Sequence, residues 1–249
     1  SLAITANNVT GGTDGINADN QGEGALRIMT SGTIRGIAGD GLDVFNNGGA
    51  SVTIETNGEV RSEDAEGSGI TVLNGGANGA DVVISANDDV YSNYRGIEVV
   101  SSAAGATRGA ISITSTGSVT GEADAGVYAV SNGVGLAGAE DLDGNSLEGV
   151  SLAVTVNNVE GGTDGIFGIA AQNAEAFTIT VNGAVTGGTG DGIYAFNAGS
   201  EDTTITINEG GSVSTSGTDN DDWAIEASAP NGAIIVNNSG TVKGRVNLS

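Results

Sequence analysis

The chain has no cysteine and no histidine, and only one proline, one methionine and one tryptophan in 249 residues. Without cysteine there are no disulfides and no thiol chemistry. Without histidine the commonest metal ligand and general base is missing, so any catalysis would rest on carboxylates. Basic residues are scarce too: 7 Lys and Arg stand against 31 Asp and Glu, a net charge of −24. That charge repels phosphate backbones and anionic membrane surfaces, so nucleic acid is not an expected partner. No apolar run reaches the length needed to span a bilayer, and no signal peptide opens the chain, so this segment is not expected to insert in a membrane. The start at Ser1 and the stop within Val246-Asn247-Leu248-Ser249 suggest a fragment of a longer protein.

Aromatic residues amount to 4%, whereas glycine reaches 44 residues and the apolar share is 38%. A compact domain of this length would hold more large rings in its core, so the scarcity points to a narrow core that Val, Ile, Leu and Ala can fill. Disorder would need lower hydrophobicity, and strict alternation of the apolar residues argues for burial.

The abundant feature is a repeat. Gly15-Ile16, Gly41-Leu42, Gly69-Ile70, Gly96-Ile97, Gly126-Val127, Gly165-Ile166, Gly192-Ile193 and Ala224-Ile225 each open an alternating stretch, with steps of 26, 28, 27, 30, 39, 27 and 32 residues. Self-similarity at such a period marks a solenoid, whose repeats bury their apolar faces only by stacking. Each coil also carries an earlier alternating run, such as Val52-Thr53-Ile54 or Phe177-Thr178-Ile179, then an Asn/Gly turn. A lone aliphatic follows (Val9, Ile34, Val60, Val90, Val119, Val159, Val185, Val213 and Val242) and opens a short middle strand. Strand residues alternate faces, so the aliphatics point inward and the Thr and Ser outward. The expected fold is all-β: a right-handed parallel β-helix of about nine rungs and three strands per coil, one unit over 1–249. The 39-residue step places a loop insertion at 131–149, and the 32-residue step enlarges the bend at Thr215–Trp223. Such insertions map to surface loops, often on a functional face.

Runs such as Val9-Thr10-Gly11-Gly12-Thr13-Asp14-Gly15-Ile16, Val159-Glu160-Gly161-Gly162-Thr163-Asp164-Gly165-Ile166 and Asn238-Ser239-Gly240-Thr241-Val242-Lys243-Gly244 carry a family likeness. They resemble the coils of autotransporter passenger domains, the type V secreted β-helices of Gram-negative bacteria. The resemblance covers the whole chain, and its motifs are structural. It implies a secreted or cell-surface location, held at the outer membrane through a carboxy-terminal barrel that lies outside this chain. It also implies an adhesin or aggregation role; with no histidine and few bases, an enzyme is not expected. The partners would be glycans or proteins of host or neighbouring cells, or other copies of the protein.

Three groups of residues are candidates for a site. Tyr128, Phe167 and Tyr194 occupy the outward position after the anchor on three consecutive coils, which predicts an exposed ladder about 4.8 Å per step. Such a ladder is either a ligand platform, since flat rings stack on sugars or pack against apolar groups, or a device that stabilises stacking. Asp14, Asp40, Asp164 and Asp191 sit two residues before their anchors. Stacked carboxylates of this kind either attract a hard cation or accept backbone N–H bonds within their own turns. Within the insertion, Asp141, Asp143, Asn145 and Glu148 space oxygen ligands for Ca²⁺, but the Gly and Glu of an EF-hand loop are missing. Glycoside hydrolysis by paired carboxylates is the enzymatic alternative, and a purely structural stalk the other. Lyases usually add a base, and only Arg95, beside Glu98, is placed for that part.

Overall fold

The computed structural model describes residues 1–48, 50–75, 80–101, 109–131, 150–171 and 174–249. Alternating side chains behave as the pattern demands: Val52–Thr56, Leu42–Asn46 and Ile166–Ala170 each bury every second residue and leave those between partly exposed. Short strands built this way cannot pair with themselves. They pair with the equivalent strands of the coils on either side, and every pairing among the described residues is parallel.

Two sheets result, one of 16 strands and one of 9. The smaller sheet collects the third strand of every coil, from Ile16–Asn20 to Val246–Leu248. Its anchors align without slippage, Ile16 with Leu42, Ile70 with Ile97, Val127 with Ile166, and Ile193 with Ile225. The larger sheet holds the first and middle strands, which are separate in most coils. In two coils they merge, as Ile111–Gly121 and Val150–Gly161, so the expected three strands become two there. The two merged strands shift register between Ser115 and Ser118. The chain is thus a parallel β-solenoid, with about seven turns sandwiched between neighbours. The first and last of the nine coils are covered on one side only, and their strands are correspondingly more exposed.

The core is a column of Val, Ile, Leu and Ala running through the coils. Phe177 is the largest fully buried side chain. Room for its ring comes from Gly168 one coil earlier, where an added Cβ would lie 2.4 Å from the Phe177 ring. The glycine before seven of the anchors, from Gly15 to Gly192, has a similar cause. A Cβ at Gly41 would meet the Gly69 carbonyl oxygen at 2.5 Å, so the close approach of the next coil excludes a side chain.

Polar groups also repeat along the stack. Asn20, Asn46 and Asn74 are buried at the end of the third strand. The Asn20 amide donates to Asn46 (2.9 Å), and Asn46 to Asn74 (2.9 Å). At the bends, carboxylates accept N–H groups from the following coil: Asp81 from Ala110 (2.6 Å), Asp89 from Ser118 (2.8 Å) and Asp202 from Ala233 (2.8 Å). These bonds satisfy backbone donors where the ladder is interrupted by the turn.

Candidate functional site

The outward column of the nine-stranded sheet runs Asn17, Asp43, Thr71, Glu98, Tyr128, Phe167, Tyr194, Glu226 and Asn247, each paired with the next across the coils. Strand register alone therefore brings Tyr128, Phe167 and Tyr194 together. Their ring centroids are 4.9 Å apart at both steps, with interplanar angles of 1° and 9°. The spacing equals that of hydrogen-bonded strands, and the rings stack. All three are half-buried. Phe167, lying between the two others, has both faces occupied and offers a partner only its edge.

Arg95 closes one end. Its guanidinium carbon lies 3.9 Å from the Tyr128 centroid and 4.9 Å from that of Tyr94. The same group binds Glu98 (2.7 Å) and Asp124 (2.7 Å). Burial works against charge on Asp124, but the Thr163 hydroxyl at 2.8 Å and Arg95 outweigh it and hold its pKa below the usual carboxylate value. Arg95 is not the only base beside acids. Arg35 pairs with Glu63 at 2.5 Å, and Arg61 lies 3.7 Å from Glu59 and 3.5 Å from Glu63.

The opposite end is built differently. Glu226 follows Tyr194 in the column, and its carboxylate accepts from Asn247 at 2.9 Å. Asp191 is buried just before the Tyr194 strand. Burial first, and then the charges of Asp164 and Glu226, push the Asp191 pKa up to about 7. The Tyr194 hydroxyl is raised by burial and by Glu226, Asp191 and Asp164. Among the described residues no ion pair engages Asp164, Asp191 or Glu226.

The acidic bends prove to be structural acceptors, but not within their own turns. Asp14 accepts the N–H of Asp40 (3.0 Å), Asp40 that of Ser68 (2.7 Å), Asp164 that of Asp191 (2.6 Å) and Asp191 that of Trp223 (2.7 Å). Each bond crosses to the following coil, because the parallel stack puts the next bend's N–H directly over the carboxylate. Near the start of the column, burial and the Asp40 and Asp14 charges raise Asp43 to about 6. No group of three or more Asp or Glu among the described residues is arranged to hold a metal ion. Asp141, Asp143, Asn145 and Glu148 lie outside the described residues. So does the 131–149 insertion apart from Ser131, the last residue of its strand. At the enlarged bend, Trp223 is covered by Arg245 at 4.2 Å, and the Arg245 Nη2 donates to the carbonyls of Asp219 (2.9 Å) and Asp222 (3.1 Å).

The aromatic column was visible in the sequence, but Arg95 as its cap was not. The signal was the Arg two residues before an anchor, one coil below Tyr128. The buried Asn row was missed although Asn recurs four residues after the anchors Ile16, Leu42 and Ile70. The architecture defines the chain as an all-β parallel solenoid with an outward aromatic ladder. No protein-family model matches the chain, and no curated protein or solved structure matches it.

Proposed function

We propose that this chain is a stiff, acidic rod of a secreted or surface-displayed bacterial protein, an autotransporter-like passenger, that attaches its bearer to other surfaces through the Tyr128–Phe167–Tyr194 face. The observation that supports this reading is the ladder itself: three stacked aromatic side chains on the outside of a chain with 4% aromatic residues. Burying such rims against a partner stabilises contact more than any polar stretch of the rod does. Stacked coils hold the face straight, and many copies on a surface add weak contacts through multivalency. The partner is a glycan or protein of a host or neighbouring cell, with self-association as a related mode.

One observation favours a purely structural stalk, namely that the ring faces are turned toward each other. Replacing Tyr128, Phe167 and Tyr194 together by Ser separates the two readings in a glycan-array and cell-binding assay. Loss of attachment in a variant that keeps its β circular dichroism supports adhesion. Attachment equal to the parent chain overturns it in favour of the stalk.

A further inference from the structure

The column holding the ladder is nearly symmetric about Phe167. Glu98 precedes Tyr128 and Glu226 follows Tyr194, so a glutamate stands beyond each terminal ring. At the Tyr128 end, Arg95 lies on the ring between Glu98 and Asp124. At the Tyr194 end a terminal ring again stands beside a glutamate, Glu226, which accepts from Asn247 at 2.9 Å, but among the described residues no arginine lies on that ring. Arg245, on the coil beyond, is engaged with Trp223 and two carbonyls.

Among the described residues, three arginines lie on aromatic rings. Arg61 stacks on Tyr91 at 4.5 Å beside Glu59 and Glu63, Arg95 on Tyr128, and Arg245 on Trp223. A planar guanidinium suits the position, because its face lies on the ring while its edge donates to carboxylates. Charge complementarity points the same way, since the face belongs to a rod of net charge −24 and is bordered by acids at both ends.

We propose that the ladder face docks a basic polypeptide segment, with a partner guanidinium seated on Tyr194 against Glu226 as Arg95 is seated on Tyr128 against Glu98. This rests on the adhesive reading and names the partner's chemistry. Arginine binds in preference to lysine, whose compact ammonium lacks the stacking face.

The test is calorimetric titration of a short oligo-arginine peptide, with oligo-lysine in parallel, into the parent chain and three variants. Tyr194→Ser and Glu226→Gln are each expected to weaken oligo-arginine binding by about fivefold or more. Glu209→Gln removes one exposed charge away from the ladder and is expected to change it by less than about twofold. Equal weakening in all three variants would mean diffuse attraction to an acidic rod, and no preference for arginine over lysine would remove the stacked guanidinium; either result overturns the inference. Oligo-arginine binding that is absent while cell attachment still depends on the ladder overturns this inference alone. Attachment that survives replacement of all three rings overturns the adhesive reading as well.

Discussion

Phe177 and Gly168 form a matched pair: a ring with no exposed surface and a position one coil earlier with no side chain to obstruct it. Interiors packed to crystal-like density do not absorb an added branch without moving their neighbours. Gly168→Val is therefore expected to destabilise the solenoid by about 1–3 kcal/mol. Phe177→Ala is expected to cost about 3–5 kcal/mol through the cavity it leaves. Combining Gly168→Val with Phe177→Leu is expected to cost less than the sum of the two single changes, because the substitutions share one space. Thermal melts of the single and double variants read this directly, and simple additivity would show that the two residues do not compete for volume.

Within the strands, the buried Asn row carries more weight than the exposed Asn contacts at the turns. Asn46 both accepts from Asn20 and donates to Asn74 with no access to water. Asn46→Ala is expected to cost about 1–3 kcal/mol, because buried partners on either side lose a bond that water cannot replace. By contrast, Asn57→Ala, which removes an exposed contact from Asn87 at 2.9 Å, is expected to stay within about 0.5 kcal/mol. A melting comparison of the two variants checks the difference. Strand positions and register were legible in the sequence because alternation and the Gly-aliphatic anchor report which face is inward and where each coil begins. That register made Tyr128, Phe167 and Tyr194 neighbours, as expected. Ring orientation was not legible, since a column position fixes where a side chain starts and not how its torsions turn it. For the bend carboxylates the sequence offers a cation or the N–H groups of their own turns, because local spacing says nothing of the N–H that a neighbouring coil brings overhead. Ile111–Gly121 and Val150–Gly161 both run through the expected first turn, the first across Ser115-Thr116-Gly117-Ser118 and the second across Asn157-Asn158, so an Asn pair does not by itself break the strand.

Across the whole molecule the stacked coils bury carboxylates that would be solvated in the unfolded chain. Burial leads in raising Asp40, Asp81 and Asp164, and takes Asp43 to about 6 and Asp191 to about 7. A carboxyl whose folded pKa is raised binds its proton more readily when folded, so the penalty is full above that pKa and is relieved as the pH falls toward the unfolded value. The melting temperature is expected to rise by several degrees between pH 8 and pH 5. It is expected to fall again under stronger acid, when Asp124, held low by the Thr163 hydroxyl and Arg95, and Glu63, held low by Arg35, are protonated and lose their ion pairs. A melting temperature that declines steadily from pH 8 would contradict this. The bend bonds add a polarity that the symmetric appearance of the stack conceals. In every such pair the acceptor belongs to the earlier coil and the N–H to the later one, from Asp14 and Asp40 to Asp202 and Ala233. A finished coil thus presents its successor with a row of preset acceptors, and its predecessor with donors already taken. The two ends of the rod are therefore unlike: bend carboxylates face the carboxy-terminal side, and the N–H groups they accept face the amino-terminal side.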